Sequence, residues 1–366
     1  MSEIKRIGVM TGGGDCPGLN AVIRAVTKTA ILKYGLEVVG IKHGYRGLFL
    51  GGDEFVNLTL DKVSGILPRG GTILYSSNKD NLFDYTFTDE NGVEHHGDYS
   101  DVGIENLKKA GIDALIIIGG DGTLTSGRDF SRKGIKVVGV PKTIDNDLAS
   151  TDTTFGFDTA VSTAAESIDR LITTAQSHSR IIVVEAMGRY AGFLALSSGI
   201  AGGADAILIP EIEYDIEKVA DAIKNNIKRG KNYSIVVVAE GAKPKGGEVM
   251  VSKVVENSPD PIRLGGIGNY VADQLEELVG LEARATILGH VQRGGTTTPN
   301  DRILSTRYGC AAVELLMNGK FGNMVTLKGN EMSYDSLENV IGANKAVDPS
   351  GELVRIAKAM GVTFGD

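Results

Sequence analysis

Short runs of apolar, often β-branched residues alternate along this chain with longer stretches in which apolar positions recur every three to four residues. The runs Arg6–Thr11, Glu37–Lys42, Ala114–Ile118, Lys136–Val140, Ile181–Glu185, Ala206–Ile209, Ser234–Ala239 and Ala285–Gly289 predict strands. Their nearly continuous apolar character predicts strands covered on both faces of the sheet. The segment 19–34 sets Leu19, Val22, Ile23, Val26 and Ala30 on one helical face. Pro17 near its start and Gly35 just past its end punctuate it as a helix. Further helices are predicted over 160–176, 216–228 and 266–279. The polar stretch 84–100, with Asn91-Gly92 between two short segments, predicts a hairpin. Alternating β and α elements predict an α/β fold of two doubly wound lobes with mainly parallel sheets.

In such sheets ligands bind just beyond the carboxyl ends of the strands. Two loops there are rich in chemistry. Gly119-Gly120-Asp121-Gly122-Thr123 follows one apolar run, and Pro141-Lys142-Thr143-Ile144-Asp145-Asn146-Asp147 follows another. Between them they supply what phosphoryl transfer requires: a phosphate cradle, a metal carboxylate, and a base near an acceptor hydroxyl. Gly12 to Gly18 joins the first strand to the first helix, where glycines let backbone amides approach a phosphate and the helix N-terminus favours negative charge. Taken alone, that glycine cluster reads equally as a tight βα turn. It is not a dinucleotide fingerprint, because Pro17 stands where the third glycine belongs. No P-loop signature occurs anywhere in the chain. Asp121 is placed to ligate a divalent cation directly or through water, or to cap the helix that follows. Asp145 and Asp147 have an Asx-turn as their plainer reading. Arg180 precedes a strand and Arg189 follows it, so one chain can hardly aim both at one ligand.

Composition narrows the class. The chain has 366 residues, 42% hydrophobic and 23% charged, which suits two domains. A net charge of −8 argues against non-specific nucleic-acid binding and leaves phosphate recognition to local Arg and Lys clusters. Cys16 and Cys310 are too few for a disulfide framework, and no secretory start is apparent. No apolar run approaches the ~20 residues that span a bilayer. The expectation is a cytoplasmic protein without membrane or nucleic-acid partners.

Four motifs, GGDGT at 119–123, PKTIDND at 141–147, MGRYAG at 187–192 and GHVQRGG at 289–295, resemble in identity and order those of the 6-phosphofructokinase family. The resemblance covers nearly the whole chain. It implies phosphoryl transfer from ATP to the C1 hydroxyl of fructose 6-phosphate, with Mg2+ as cofactor. It implies a donor lobe of 1–155 plus about 286–335, and a sugar-phosphate lobe of 156–285 plus about 336–366. For the donor it implies Gly13, Gly14, Gly120, Gly122 and Thr123 near the phosphates and Asp121 on the metal. For the sugar it implies Asp145 as general base, Thr143 hydrogen-bonding the acceptor or the moving phosphoryl group, and Asp147 orienting its neighbours. Arg189 matches a residue near the transferring phosphoryl group, and Arg293 another residue of the same subunit's site. Met187 and Gly188 match residues that shape the sugar pocket, and Glu240 one that accepts a sugar hydroxyl. His290 matches a substrate-binding histidine, with a core histidine as the alternative. Arg180 and Arg284 match residues that reach the 6-phosphate of a neighbouring subunit, which implies a homodimer or homotetramer.

Donor choice is read at two positions. An Asp after the metal carboxylate blocks the nucleotide's α-phosphate in pyrophosphate-dependent members, and Gly122 leaves that space open. Lys142 points the other way, since pyrophosphate enzymes carry Lys there. Asn78 aligns with an Arg that contacts donor phosphates in the compact ATP enzymes, and Lys79 offers a charge one residue later, without the bidentate fork of Arg. ATP is the expected donor. Pyrophosphate as donor, sedoheptulose 7-phosphate as acceptor, a lipid or NAD kinase sharing GGDGT, and a non-catalytic nucleotide-sensing subunit are the alternatives. Tyr45 reads as ordinary packing or as a ring near adenine. Arg24 and Lys28, one helical turn apart, read as a solvated face or an effector site.

Overall fold

The computed structural model describes residues 4–254 and 262–366; residues 1–3 and 255–261, which the expected lobe boundaries include, lie outside the described residues. The chain forms two compact units. Unit 1 comprises Met1–Thr143, Leu148–Gly156 and Arg293–Asn344; unit 2 comprises Ile144–Asp147, Phe157–Gln292 and Lys345–Asp366.

Unit 1 receives β1 (Arg6–Thr11), β2 (Glu37–Ile41), β3 (Phe55–Leu58), β4 (Tyr85–Thr88), β5 (Glu94–Gly97), β6 (Ala114–Gly119) and β7 (Val137–Pro141). The chain then supplies β8 (Ile181–Ala186), β9 (Ala206–Leu208), β10 (Ser234–Ala239), β11 (Val251–Val254), β12 (Ile262–Leu264) and β13 (Ala283–Ile287) to unit 2. It returns to unit 1 for β14 (Asn323–Lys328) and β15 (Glu331–Ser336).

The main sheet of unit 1 runs β15-β14-β7-β6-β1-β2-β3. Its interior is parallel, from β14 to β2, and its two outermost strands are antiparallel. Every residue of β6 and β7 is buried, as strands covered by helices on both faces must be. The strand order reverses between β1 and β6, so the loops that leave their carboxyl ends flank a topological switch point. The helix Leu19–Tyr34 spans the predicted bounds and buries Leu19, Val22, Ile23, Val26 and Ala30. Gly35 ends it in the left-handed conformation that glycine adopts without strain. This helix packs tightly against Pro299–Met317: a Cβ at Gly309 would lie 2.7 Å from Cβ of Ala25. The hairpin β4–β5 forms as expected, with Asn91-Gly92 at its turn. Phe87, at 4.9 Å from Phe49 and 5.1 Å from Tyr99 between ring centroids, pins it to an aromatic cluster.

Unit 2 carries the sheet β13-β8-β10-β9, parallel throughout, over a core that includes Ile181, Val183, Val236, Val238 and Val271. Its helices Ile216–Lys228 and Ile267–Val279 match the predicted periodicity. The expected strand 285–289 instead begins at Ala283 and ends at Ile287. As an edge strand it is only partly buried, so its polar residues Arg284 and Thr286 interrupt the apolar run that periodicity looks for. The other strands missing from the sequence pattern include β3 and β15, the antiparallel edges of the first sheet, and the pair β11–β12; β14 is also missing, an interior strand with four consecutive buried residues whose apolar run is broken by Thr326 and flanked by Asn323 and Lys328. Among the described residues no helix is long and apolar enough to cross a membrane.

Candidate active site

In unit 1 three loops leave the same carboxyl edge of the sheet. Gly12 donates its N–H to Ile118 O (3.0 Å), tying the loop after β1 to β6, and Lys142 donates its N–H to Gly119 O (2.9 Å), tying β7's exit to β6's. The loop 72–78 closes over them: Gly13 N–H donates to Ser77 O (2.9 Å), and Ser76 Oγ donates to Gly13 O (2.5 Å). The result is a cleft of about 510 Å3, bordered by Gly13, Gly14, Asp15, Ser76 and Asn78 together with two aromatic rings described below. A nucleotide-sized ligand falls within that volume class.

The glycines are required by close approach. A Cβ at Gly14 would sit 2.5 Å from Arg293 Nη1, and that guanidinium also donates to Asp15 O (3.1 Å). Arg293, which the resemblance assigns to the sugar, therefore lies in unit 1 against the glycine loop. Lys142 is buried and donates Nζ to Gly14 O (2.5 Å), fixing a positive charge beside the backbone amides of that loop. Cys16 is buried in the same loop, and burial pushes its thiol pKa well up, so it packs as an apolar side chain.

Asp121 begins the helix Asp121–Arg132, whose N-cap is Gly120 with no side-chain capping bond. The capping alternative for Asp121 is thereby replaced: its Oδ1 accepts the N–H of Gly342 (2.9 Å). The carboxylate stays partly exposed at a helix N-terminus. The described residues contain no group of three or more His, Cys, Asp or Glu able to hold a metal by themselves. One carboxylate with substrate phosphates and water is nonetheless how Mg2+ is usually held, so the residues present fit such an ion. A Cβ at Gly122 would meet nothing within 4 Å, whereas one at Gly119 would strike Thr123 at 2.3 Å. Thr123 thus wedges the helix start against the sheet. Tyr45 is buried, stacks on Phe130 (5.8 Å) and donates its OH to Thr123 O (2.7 Å), which makes it core packing. Asn78 borders the cleft; Lys79 is exposed and donates its backbone N–H to Ser77 Oγ (3.4 Å).

The stretch PKTIDND crosses from one unit to the other. Thr143 belongs to unit 1, where its carbonyl accepts Thr154 Oγ1 (2.7 Å). Ile144–Asp147 belongs to unit 2. Asp145 is buried there, and the turn after it is held by Lys345, whose N–H donates to Asp147 O (2.8 Å) and whose Nζ donates to Asn146 Oδ1 (3.1 Å).

Unit 2 sorts its remaining site residues to opposite ends of one sheet. Beyond the carboxyl ends of β8, β10 and β13 stand Met187, Gly188 and Arg189, then Glu240, then His290. Arg189 adopts a left-handed φ of 52° and donates its N–H to Glu240 Oε1 (3.0 Å). Gly188 and Gly241 make that turn possible, since a Cβ at either would collide with the carbonyl of Ala191 or Arg189. Burial raises the Glu240 pKa to about 7, with smaller upward pushes from Asp145 and Glu185 opposed by the Arg189 N–H and charge. His290 is exposed, which removes the core-histidine alternative. At the amino ends of β8 and β13, Arg180 Nε donates to Glu282 Oε2 (2.5 Å), and Arg284 Nη2 donates to the other oxygen of the same carboxylate.

Sequence reasoning did not find His43, Thr72 and Tyr75, which also border the cleft of unit 1. It also did not find Glu185, a buried carboxylate that accepts the Gly268 N–H (2.8 Å). None of them sits in a motif.

A glycine cradle and a single metal-type carboxylate at a sheet switch point define an α/β phosphotransferase. The chain belongs to the phosphofructokinase family: the profile described as Phosphofructokinase matches residues 6–316. It is 66% identical to the "ATP-dependent 6-phosphofructokinase 2" of Clostridium perfringens, over 100% of both chains. It is 46% identical to the "Pyrophosphate--fructose 6-phosphate 1-phosphotransferase" of Streptomyces coelicolor, over 98% of this chain and 100% of that one. Among solved structures, phosphofructokinase from Saccharomyces cerevisiae superposes with a TM-score of 0.77 at 34% identity, covering 92% of this chain and 45% of that longer one.

Proposed function

We propose that this protein transfers the terminal phosphoryl group of ATP to the C1 hydroxyl of fructose 6-phosphate, giving fructose 1,6-bisphosphate and ADP. The observation that carries the donor assignment is the empty space beside Gly122, where no atom lies within 4 Å of an added Cβ. The 66% identical relative, named as ATP-dependent, supports it.

In this reading unit 1 binds the donor and unit 2 the sugar phosphate. The amides of Gly14 and Gly120, with Thr123, receive the donor phosphates; Gly13, its own N–H held by Ser77 O, borders them, and Lys142 adds charge beside them. A divalent cation, Mg2+ in this proposal, is held by Asp121 and the donor phosphates, where it offsets phosphate charge. Asp145 accepts the C1 hydroxyl proton as that oxygen bonds to phosphorus; Thr143 positions the hydroxyl and Asp147 orients the loop. Arg189 neutralises charge on the moving group. Met187, Gly188, Glu240 and His290 of unit 2 bind the sugar, and Arg293, the exception to that division, binds it from unit 1. Arg180 and Arg284 bind the 6-phosphate in a neighbouring copy of the chain, so the working form is a homodimer or homotetramer in the cytoplasm.

A second donor reading rests on one observation: Lys142 is seated against Gly14, where a pyrophosphate would lie. Initial rates with fructose 6-phosphate and Mg2+, comparing ATP with pyrophosphate, decide between them. A preference for ATP is expected, and a preference for pyrophosphate overturns the donor assignment.

A further inference from the structure

The cleft of unit 1 has an aromatic wall that no role above uses. His43 and Tyr75 stack ring on ring, with centroids 4.8 Å apart and planes within 7°. Both residues carry positive φ, 57° and 58°, a backbone conformation that non-glycine residues rarely take and that collects at functional sites. The surrounding fold enforces it. His43 N–H donates to Leu74 O (2.8 Å), and its Nδ1 pairs with Glu54 Oε2 (2.8 Å). Thr11 Oγ1 donates to Tyr75 O (2.7 Å). The outcome of this bracing is a tyrosine 56% exposed, bordering the same cleft as Gly13 and Gly14. Tyr45, another aromatic near these loops, is buried and unavailable.

We propose that the His43–Tyr75 stack is the platform for the donor's base, and that Tyr75 is a specificity-determining residue favouring a nucleoside triphosphate over pyrophosphate. A donor whose phosphates lie along Gly13 and Gly14 has its heterocycle within reach of the exposed face of Tyr75. An aromatic ring attracts any base through its π-face and reads none of them by hydrogen bonding. The platform therefore tolerates adenine and guanine alike, and gives nothing to a donor without a base. His43 backs the ring, and Glu54 fixes His43. This assignment rests on the ATP reading above.

Kinetics with fructose 6-phosphate test it in three forms of the full chain: wild type, Tyr75→Gly and Tyr75→Phe. Glycine removes the ring while accepting the left-handed backbone without strain, so its fold is retained, and a thermal melt verifies this. The expected result is a KM for ATP raised roughly tenfold in Tyr75→Gly, with kcat and the KM for fructose 6-phosphate within about twofold of wild type. Tyr75→Phe keeps the wild-type KM for ATP, and GTP shows the same pattern. An unchanged KM for ATP in Tyr75→Gly overturns the platform, and so does a lowered one, which makes the ring an obstruction. The wild-type rates alone decide the donor: turnover with pyrophosphate and none with ATP overturns the ATP reading whatever the variants do.

Discussion

The two ends of the unit 2 sheet carry the same kinds of residue in opposite states. At the carboxyl end, Glu240 is largely buried, braced by the Arg189 N–H, with its pKa drawn up to about 7. At the amino end, Arg180 and Arg284 share Glu282, with side-chain exposures of 29% and 57%. A strand the length of β8 separates the ends by roughly 20 Å. Groups that a fold buries at a cost mark candidate functional sites; arginines near the surface on one carboxylate are worth little to stability. The difference teaches that the two ends of one sheet point apart, so if both bind ligand as proposed, the amino end serves a neighbouring copy.

The largest effect is expected at the base. Asp145→Ser lowers kcat by about 10² to 10⁴, while calorimetric binding of fructose 6-phosphate stays within a few-fold of wild type; an unchanged kcat removes Asp145 from that role. Next, Arg284→Ala raises the KM for fructose 6-phosphate by roughly 10- to 100-fold, the loss of charge-assisted bonds to a phosphate. Oligomers reassembled from Asp145→Ser and Arg284→Ala chains then regain activity, since some sites receive an intact half from each. Absence of any recovery breaks the comparison between the ends. A change confined to unit 1 serves as the control: Gly122→Asp lowers kcat/KM for ATP about tenfold or more and leaves sugar-phosphate binding alone, because its carboxylate fills the space an α-phosphate needs.

The smallest effect is one of pH. In the proposed role Glu240 accepts a sugar hydroxyl best when ionised, so the wild-type KM for fructose 6-phosphate is expected to fall a few-fold as pH rises through about 7. Glu240→Gln flattens that profile. The stability sign is opposite. Between its ordinary value of 4.5 and about 7, Glu240 keeps in the folded chain a proton that the unfolded chain has lost, so folding weakens as pH rises through that window. Thermal melts of Glu240→Gln lack this share of the decline.

How much was legible follows from burial. β1, β6, β8 and β10 are nearly continuous apolar runs because both faces are covered, and the loops that leave them could be placed from the pattern alone. The helix Leu19–Tyr34 was legible because glycine and proline mark its ends. β13 was misplaced by two residues because an edge strand mixes Arg284 and Thr286 with its apolar positions. Tyr75 was invisible: it lies outside every periodic segment, and a left-handed tyrosine leaves no trace in composition. The seat of Arg293 against Asp15 depends on a contact 278 residues away along the chain. Asp121's bond to Gly342 likewise joins residues that no local pattern connects.

The empty space beside Gly122 has a consequence for ancestry. Glycine codons GGT and GGC become aspartate codons by one base change. The backbone there has room for an added Cβ without moving any neighbour, so the first atom of the new side chain meets no obstacle. If donor choice is read at 122 as proposed, a lineage can close or reopen the space an α-phosphate needs in one mutational step. Donor preference should be scattered among close relatives rather than inherited by whole branches.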